Sequence, residues 1–251
     1  MIEKIDNILA LFDYYELRAR IIPAFIVFSP LFLSTIAVTF FVSASISWTA
    51  GTGGVVTLVV IYALSFIVRA MGRRTEASLW AGWNGPPSTR FMRWSDDFFT
   101  TQAKKAYHDV VNAELGIQLK DKEGEQDDLI EADRLITDAF REVRNIVKIA
   151  NGKGLWNAHN AEYGFLRNII GSLLLWLVLA LLGTALCGFI YYEKQYALTL
   201  ACLVGNGLVA TLALASYLLR SWLINLTKQI ADRYAESTWG SFLAIYRQRK
   251  N

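Results

Sequence analysis

The chain has 251 residues, of which 54% are hydrophobic and 19% charged. A mean hydropathy of +0.31 is too apolar for an ordinary soluble domain, and the charge is too high for a chain made only of membrane helices. The formal net charge of +3 gives no whole-chain argument for nucleic acid, and two cysteines with two histidines neither build a disulfide framework nor favour a zinc site.

Residues 1–20 mix Glu3, Lys4, Asp6, Asp13, Glu16 and Arg18. That is not the short basic start of a secretory signal peptide, and it reads as a cytoplasmic N-terminal helix. No charge then occurs from Ile21 to Val68, a run broken by the turn-forming TAGTGG at 49–54. A spanning helix needs about 20 apolar residues. Ile22–Trp48 is long enough with tilt, and Val55–Met71 is near the lower limit with Arg69 snorkelling to the interface. These form a first transmembrane hairpin, 21–71. Within it Thr35, Thr39, Ser43 and Ser47 recur every four residues on one drifting helix face. They are either hydroxyls satisfied by their own backbone at a helix contact or the wet wall of a pore shared between subunits.

Residues 72–166 read as a helical cytoplasmic domain. It opens with LWAGWNGPPSTRFMRW at 79–94, which holds Trp80, Trp83, Trp94 and two adjacent prolines. Pro86-Pro87 presets an extended turn, and Ser88 or Thr89 is expected to cap the next helix. Arg90 and Arg93 would then share a helical face beside free N–H groups, an anion cradle with tryptophan faces for stacked bases. Lys104 and Lys105 would add charge. The competing reading is an anchor in the headgroup layer. Ser95 is the expected cap of a helix that Gly116 ends, and LKDKEGEQDD at 119–128 is a charged loop. A second helix is expected from Asp127 to Ala150. Its Leu129, Ile136 and Val143 and its Ala132, Ala139 and Ile146 form a heptad stripe, for a neighbouring helix or for self-association.

The second uncharged pair is Asn168–Tyr192 and Gln195–Leu219, separated by Glu193-Lys194. It forms a second transmembrane hairpin, 167–220, with Asn206 inside it as interhelical glue or pore lining. Residues 221–251 continue as a cytoplasmic helix with a basic tail. Lys and Arg crowd the outer ends of both hairpins, which places both termini and the middle domain in the cytoplasm of a bacterial inner membrane. The predicted fold is therefore an all-α membrane protein: four transmembrane helices in two hairpins around a helical domain. Four helices enclose too little water for a pore, so a conducting form requires a homo-oligomer, with a tetramer expected.

The usual signatures of catalysis are missing. The sequence has no GxSxG, Walker-type or HExxH motif. His159 is read as part of a surface loop. No enzymatic activity, cofactor or metal is expected.

The segments LWAGWNGPPSTRFMR at 79–93 and NAEYGFLRNIIG at 160–171 resemble patterns in a group of bacterial membrane proteins. The paired hairpins around a helical domain also resemble the membrane effectors of the Hailong anti-phage systems. That resemblance implies an oligomeric ion channel whose conduction depolarises the membrane. It implies control by a single-stranded oligodeoxyadenylate from a partner nucleotidyltransferase, which silences the channel until infection removes the signal. It assigns no ligand residues. A non-conducting membrane scaffold that recruits a cytosolic partner is the alternative.

Overall fold

The structure is a computed structural model that describes residues 13–43, 50–150 and 154–250, with the side chains of 43–58 outside the description. The described residues are helical throughout their regular elements. In chain order these are α1 (Tyr14–Glu16), a π-helical turn (Leu17–Ile21), α2 (Ile22–Ser43), α3 (Ala50–Gly82), α4 (Pro87–Arg90), α5 (Thr101–Leu115), α6 (Lys122–Asp127), α7 (Leu129–Ala150), α8 (Leu155–Lys194), α9 (Ala197–Leu218) and α10 (Arg220–Lys250). The chain divides into two compact units: Met1–Glu76 with Gly164–Thr227, and Ala77–Tyr163 with Lys228–Asn251.

Among the described residues, three helical stretches are long and apolar enough to cross a membrane: Tyr14–Val42, Leu155–Lys194 and Ala197–Leu218. They fit a multi-pass membrane protein. The 40 residues of α8 reach about 60 Å at 1.5 Å per residue, well beyond a hydrocarbon core of about 30 Å. His159 lies inside this helix and not in a surface loop. The short connection expected at Glu193-Lys194 is present: α8 ends at Lys194, Gln195 takes φ 48°, and α9 starts at Ala197. The expected turn at 49–54 differs. Thr49 lies outside the described residues, but 50–54 form the start of α3. Glycine weakens a helix in water, yet is readily carried by helices in apolar surroundings.

In the first unit the apolar faces meet each other. Ala24, Val27, Phe28, Ile61, Val68, Leu173 and Trp176 make one buried cluster, and Ala37, Cys187, Ile190 and Cys202 another. The outward face of α9 carries Leu200, Val204, Leu208 and Leu212, all exposed at four-residue spacing. Such a face suits lipid or another subunit, not water.

Two prolines enter this unit without leaving orphan carbonyls. Pro30 has no N–H for the carbonyl of Ile26, and Ser29 Oγ donates to that oxygen at 2.8 Å. Pro23 has none for the carbonyl of Ala19, and Asn168 Nδ2 of α8 donates there at 2.6 Å. A sequence defect is thus turned into a tie between two helices.

The second unit is an ordinary helical core. Phe91, Met92, Val111, Ile136, Ala139, Val143, Val147, Trp156 and Trp239 are buried together. Trp239 of α10 has no exposed surface, and its Nε1 donates to the carbonyl of Ser88 at 3.0 Å. The heptad stripe of α7 therefore faces its own unit. Ala132, Ile136, Ala139 and Val143 are buried there, Ile146 is partly buried, and only Leu129 at the helix start is exposed. Most of the stripe is thus already covered within one chain.

Element boundaries shift for local reasons. The cap of α5 is Thr100, whose hydroxyl accepts from Ala103 N, instead of Ser95. Glu125 already accepts the backbone N–H groups of Trp94 and Ser95 at 2.6 and 2.9 Å, which fixes that segment outside the helix. Gly116 ends α5 in the left-handed region at φ 66°, as its residue type suggests. Most of the expected loop at 119–128 is the short helix α6. Asp121 caps it by accepting from Gly124 N at 2.8 Å, and α7 follows from Leu129 instead of Asp127.

Candidate functional site

The tryptophan turn is a knot of internal bonds. The last turn of α3 is closed by Trp83 N donating to Leu79 O and by Gly85 N donating to Trp80 O at 2.8 Å. Asn84 at φ 61° and Gly85 at φ 107° then reverse the chain. Gly85 is required twice over, because its φ is left-handed and a Cβ there would lie 2.8 Å from an Arg93 guanidinium nitrogen. Pro86 is the N-cap of α4 and Pro87 its first residue, so neither Ser88 nor Thr89 caps it. The Ser88 carbonyl serves Trp239, and the Thr89 hydroxyl meets that of Thr137 at 3.1 Å.

Since α4 is only four residues long, it carries Arg90 but not Arg93, and the expected shared helical face does not form. The two guanidinium groups are held by carboxylates instead. Arg93 is buried. It makes a two-pronged contact with Asp133 of α7, Nε to Oδ1 at 2.7 Å and an NH2 to Oδ2 at 2.7 Å. Its remaining nitrogen donates to the Asn84 carbonyl at 2.7 Å. Arg90 lies 3.2 Å from Asp96 and 3.3 Å from Asp232 of α10, and donates to the Trp83 carbonyl at 3.3 Å. Burial pushes the Asp232 carboxyl up, with Arg90 pulling against it.

The other expected residues fall around this knot in different ways. Trp83 is buried. Trp80 is half-buried and its Nε1 donates to Tyr163 Oη at 3.2 Å. Trp94 donates from Nε1 to the Lys120 carbonyl at 2.9 Å, and its ring lies 4.7 Å from that of His108. Lys104 is buried with its ammonium on the Asp96 carbonyl, and burial lowers its affinity for a proton. Lys105, one residue on, is exposed. His108 lies buried against the Met92 carbonyl at 3.0 Å, and burial pushes its pKa down. Arg90, Arg93 and Lys104 thus stand among Asp96, Asp133, Asp232 and Glu125, three cations against four carboxylates. A phosphate arriving here would meet no surplus positive charge; it would have to displace a carboxylate.

The polar residues of the first unit are separated. Thr35 is exposed, and its hydroxyl donates to the Leu31 carbonyl at 2.8 Å. Thr39 is half-buried. The side chain of Ser43 and all of Ser47 lie outside the described residues. Asn206 faces the opposite way. It is fully buried, with Nδ2 3.4 Å from Ser34 Oγ and 3.2 Å from Cys187 Sγ. Its Oδ1 has no hydrogen-bond partner among the described residues, and it lies 2.9 Å from where a Cβ on Gly183 would be. In this arrangement Asn206 joins α2, α8 and α9, and it does not share a face with Thr35.

Several residues that organise both units gave no sequence signal of their role. Asp133 and Asp232 lie among interleaved charges of both signs, and Glu125 lies in the stretch read as a charged loop. The one visible hint at Asn168 was a polar residue at the threshold of an apolar run. Comparison with protein families, with curated proteins and with solved structures finds no match.

Proposed function

We propose that this chain is a homo-oligomeric ion-channel effector of bacterial anti-phage defence in the inner membrane. In this reading α3 supplies the fourth span, and both termini and the second unit are cytoplasmic. A tetramer is the subunit number proposed. The feature that supports conduction best is the outward hydroxyl face of α2: Thr35 is exposed and Thr39 only half-buried in the single chain, while the polar Ser34 and Asn206 turn inward. Subunits meeting on the Thr35 face would set hydroxyls along a shared path. The signal is a nucleotide or single-stranded oligodeoxynucleotide from a partner nucleotidyltransferase. It acts at residues 79–94, where a phosphate exchanges with a carboxylate on Arg90 or Arg93 and loosens the turn at the end of α3.

The test is conductance of the purified protein in planar bilayers, with and without oligodeoxyadenylate. Wild type should conduct in one of the two conditions. Thr35→Leu/Thr39→Leu should reduce the current severalfold while leaving the oligomer intact, because hydroxyls give way to a dry constriction. Intact oligomers that stay silent in both conditions would overturn the channel reading and leave the alternative, a membrane scaffold that recruits a cytosolic partner.

A further inference from the structure

We propose that the first unit carries a site for the phosphate of an anionic phospholipid, built from Arg69, Arg73 and Arg20. Three segments converge there at very short range. Asn168 of α8 ties the π-helical turn through the Ala19 carbonyl at 2.6 Å. A Cβ on Gly72 of α3 would lie 2.0 Å from Asn168 Oδ1, and one on Gly164 of α8 would lie 2.8 Å from Ala19 Cβ. These contacts bring together the backbone segments that carry the arginines. Arg20 follows Ala19, Arg69 and Arg73 flank Gly72 one helical turn apart, and Arg167 precedes Asn168. Beyond partial burial, Arg69 feels the positive charges of Arg20, Arg73 and Arg167, with the Tyr15 phenol acting in the opposite sense.

Carboxylates answer only part of this charge. Glu16 takes Arg20 Nη1 at 2.7 Å and Glu76 takes Arg167 at 2.8 Å. Among the described residues no carboxylate pairs with Arg69 or Arg73. The Nε of Arg20 is buried and has no hydrogen-bond partner there. Four guanidinium groups with two carboxylates leave a surplus of two positive charges beside an unanswered donor, which is the chemistry of a phosphate site.

The source of that phosphate follows from position. Arg20 is followed directly by the uncharged run that begins at Ile21, Arg69 directly follows its end at Val68, and Arg167 directly precedes the next run at Asn168. On the membrane placement proposed above, all three stand at headgroup depth on the cytoplasmic side. The ligand is therefore a lipid headgroup and not a soluble nucleotide. Its phosphate bridges α3 to the π-helical turn in front of α2.

The experiment is native mass spectrometry of the full chain from micelles containing phosphatidylglycerol and phosphatidylcholine in equal amounts. Wild type should retain phosphatidylglycerol preferentially. Arg69→Gln/Arg73→Gln should lose that preference by about tenfold or more. Arg69→Lys/Arg73→Lys should keep most of it, and Arg74→Gln, adjacent but on another face of α3, should keep it too. Equal preference in wild type and the double Gln variant would overturn the site. So would an equal loss in Arg74→Gln, which would mean diffuse attraction. Displacement of phosphatidylglycerol by oligodeoxyadenylate would give the arginines to a soluble signal and overturn it as well. Incorporation of wild type into nanodiscs reads the membrane placement separately, so its failure is not confused with failure of the site. A melting temperature in phosphatidylcholine micelles matching wild type confirms that the double Gln variant is folded.

Discussion

Replacing Gly171 by valine should dismantle the first unit. A Cβ at 171 would sit 2.8 Å from the Cα and N of Gly72 and from the carbonyl carbon of Met71. All three are backbone atoms, so no side-chain rotation relieves the contact. Carbon atoms pack at about 3.5–4.0 Å, so α3 and α8 would have to separate by roughly 1 Å. Separation pulls Asn168 from the Ala19 carbonyl, and the proline-freed oxygen is left without its donor. Overpacking alone costs about 1–3 kcal/mol, and a stranded buried polar group adds about 1–3 kcal/mol. Gly171→Ala should show the smaller loss and Gly171→Val a loss large enough to prevent a monodisperse preparation. Gly240→Ala provides the contrast. Nothing lies within 4 Å of a Cβ there, so alanine in that helix interior should be neutral or stabilise by up to about 1 kcal/mol. Thermal unfolding and size-exclusion profiles of the three variants in detergent check this. A Gly171→Val variant as stable as wild type would show that the two helices do not cross at these glycines.

How much of this was legible in the sequence depends on the range over which each feature is decided. Hydropathy is a local property, so the long uncharged runs announced apolar helices and Glu193-Lys194 announced a short connection. Gly116 announced its left-handed cap for the same reason. The stripe on α7 shows the limit. Spacing told that Ile136 and Val143 share an apolar face, but not that Trp239, about a hundred residues later, lies in the core that covers it. The capping error at Ser95 has a similar origin. Ser95 and Thr100 are both favoured cap types, and the choice fell to Glu125, which captures the Ser95 N–H from a helix 30 residues away. Charges were the least legible. Arg90 and Arg93 looked available because Asp232 and Asp133 are 142 and 40 residues distant in sequence. Of the residues read as an anion site, Arg90, Arg93 and Lys104 come together, while Trp80 is half-buried and Lys105 is exposed. What gathers them is a set of carboxylates that no spacing rule points to.

Arg93→Met should then cost the second unit about 2–4 kcal/mol. Removing one partner of a buried ion pair costs about 3–5 kcal/mol, and the lower range applies because the Asp133 side chain is 30% exposed and water can reach it. The variant loses both prongs to Asp133 and the bond to the Asn84 carbonyl, which holds the reversal at Asn84-Gly85 in place. Methionine keeps most of the stem volume, so the loss reports the bonds and not a cavity. Pairing it with Asp133→Leu should recover part of the loss, because the second change removes the stranded carboxylate. Unfolding of the full chain in detergent, followed by tryptophan fluorescence, reads both variants. If Arg93→Met unfolds with wild type, the turn is not held by this pair. Exchange of carboxylate for phosphate predicts a separate result for Asp133→Asn. Asparagine occupies the same space but carries no charge, so the guanidinium is released to an incoming anion. Binding of labelled oligodeoxyadenylate to Asp133→Asn should be tighter than to wild type and should weaken more steeply with salt. If Asp133→Asn is destabilised and binds no better, Arg93 is an internal staple only, and the proposed exchange of carboxylate for phosphate is overturned.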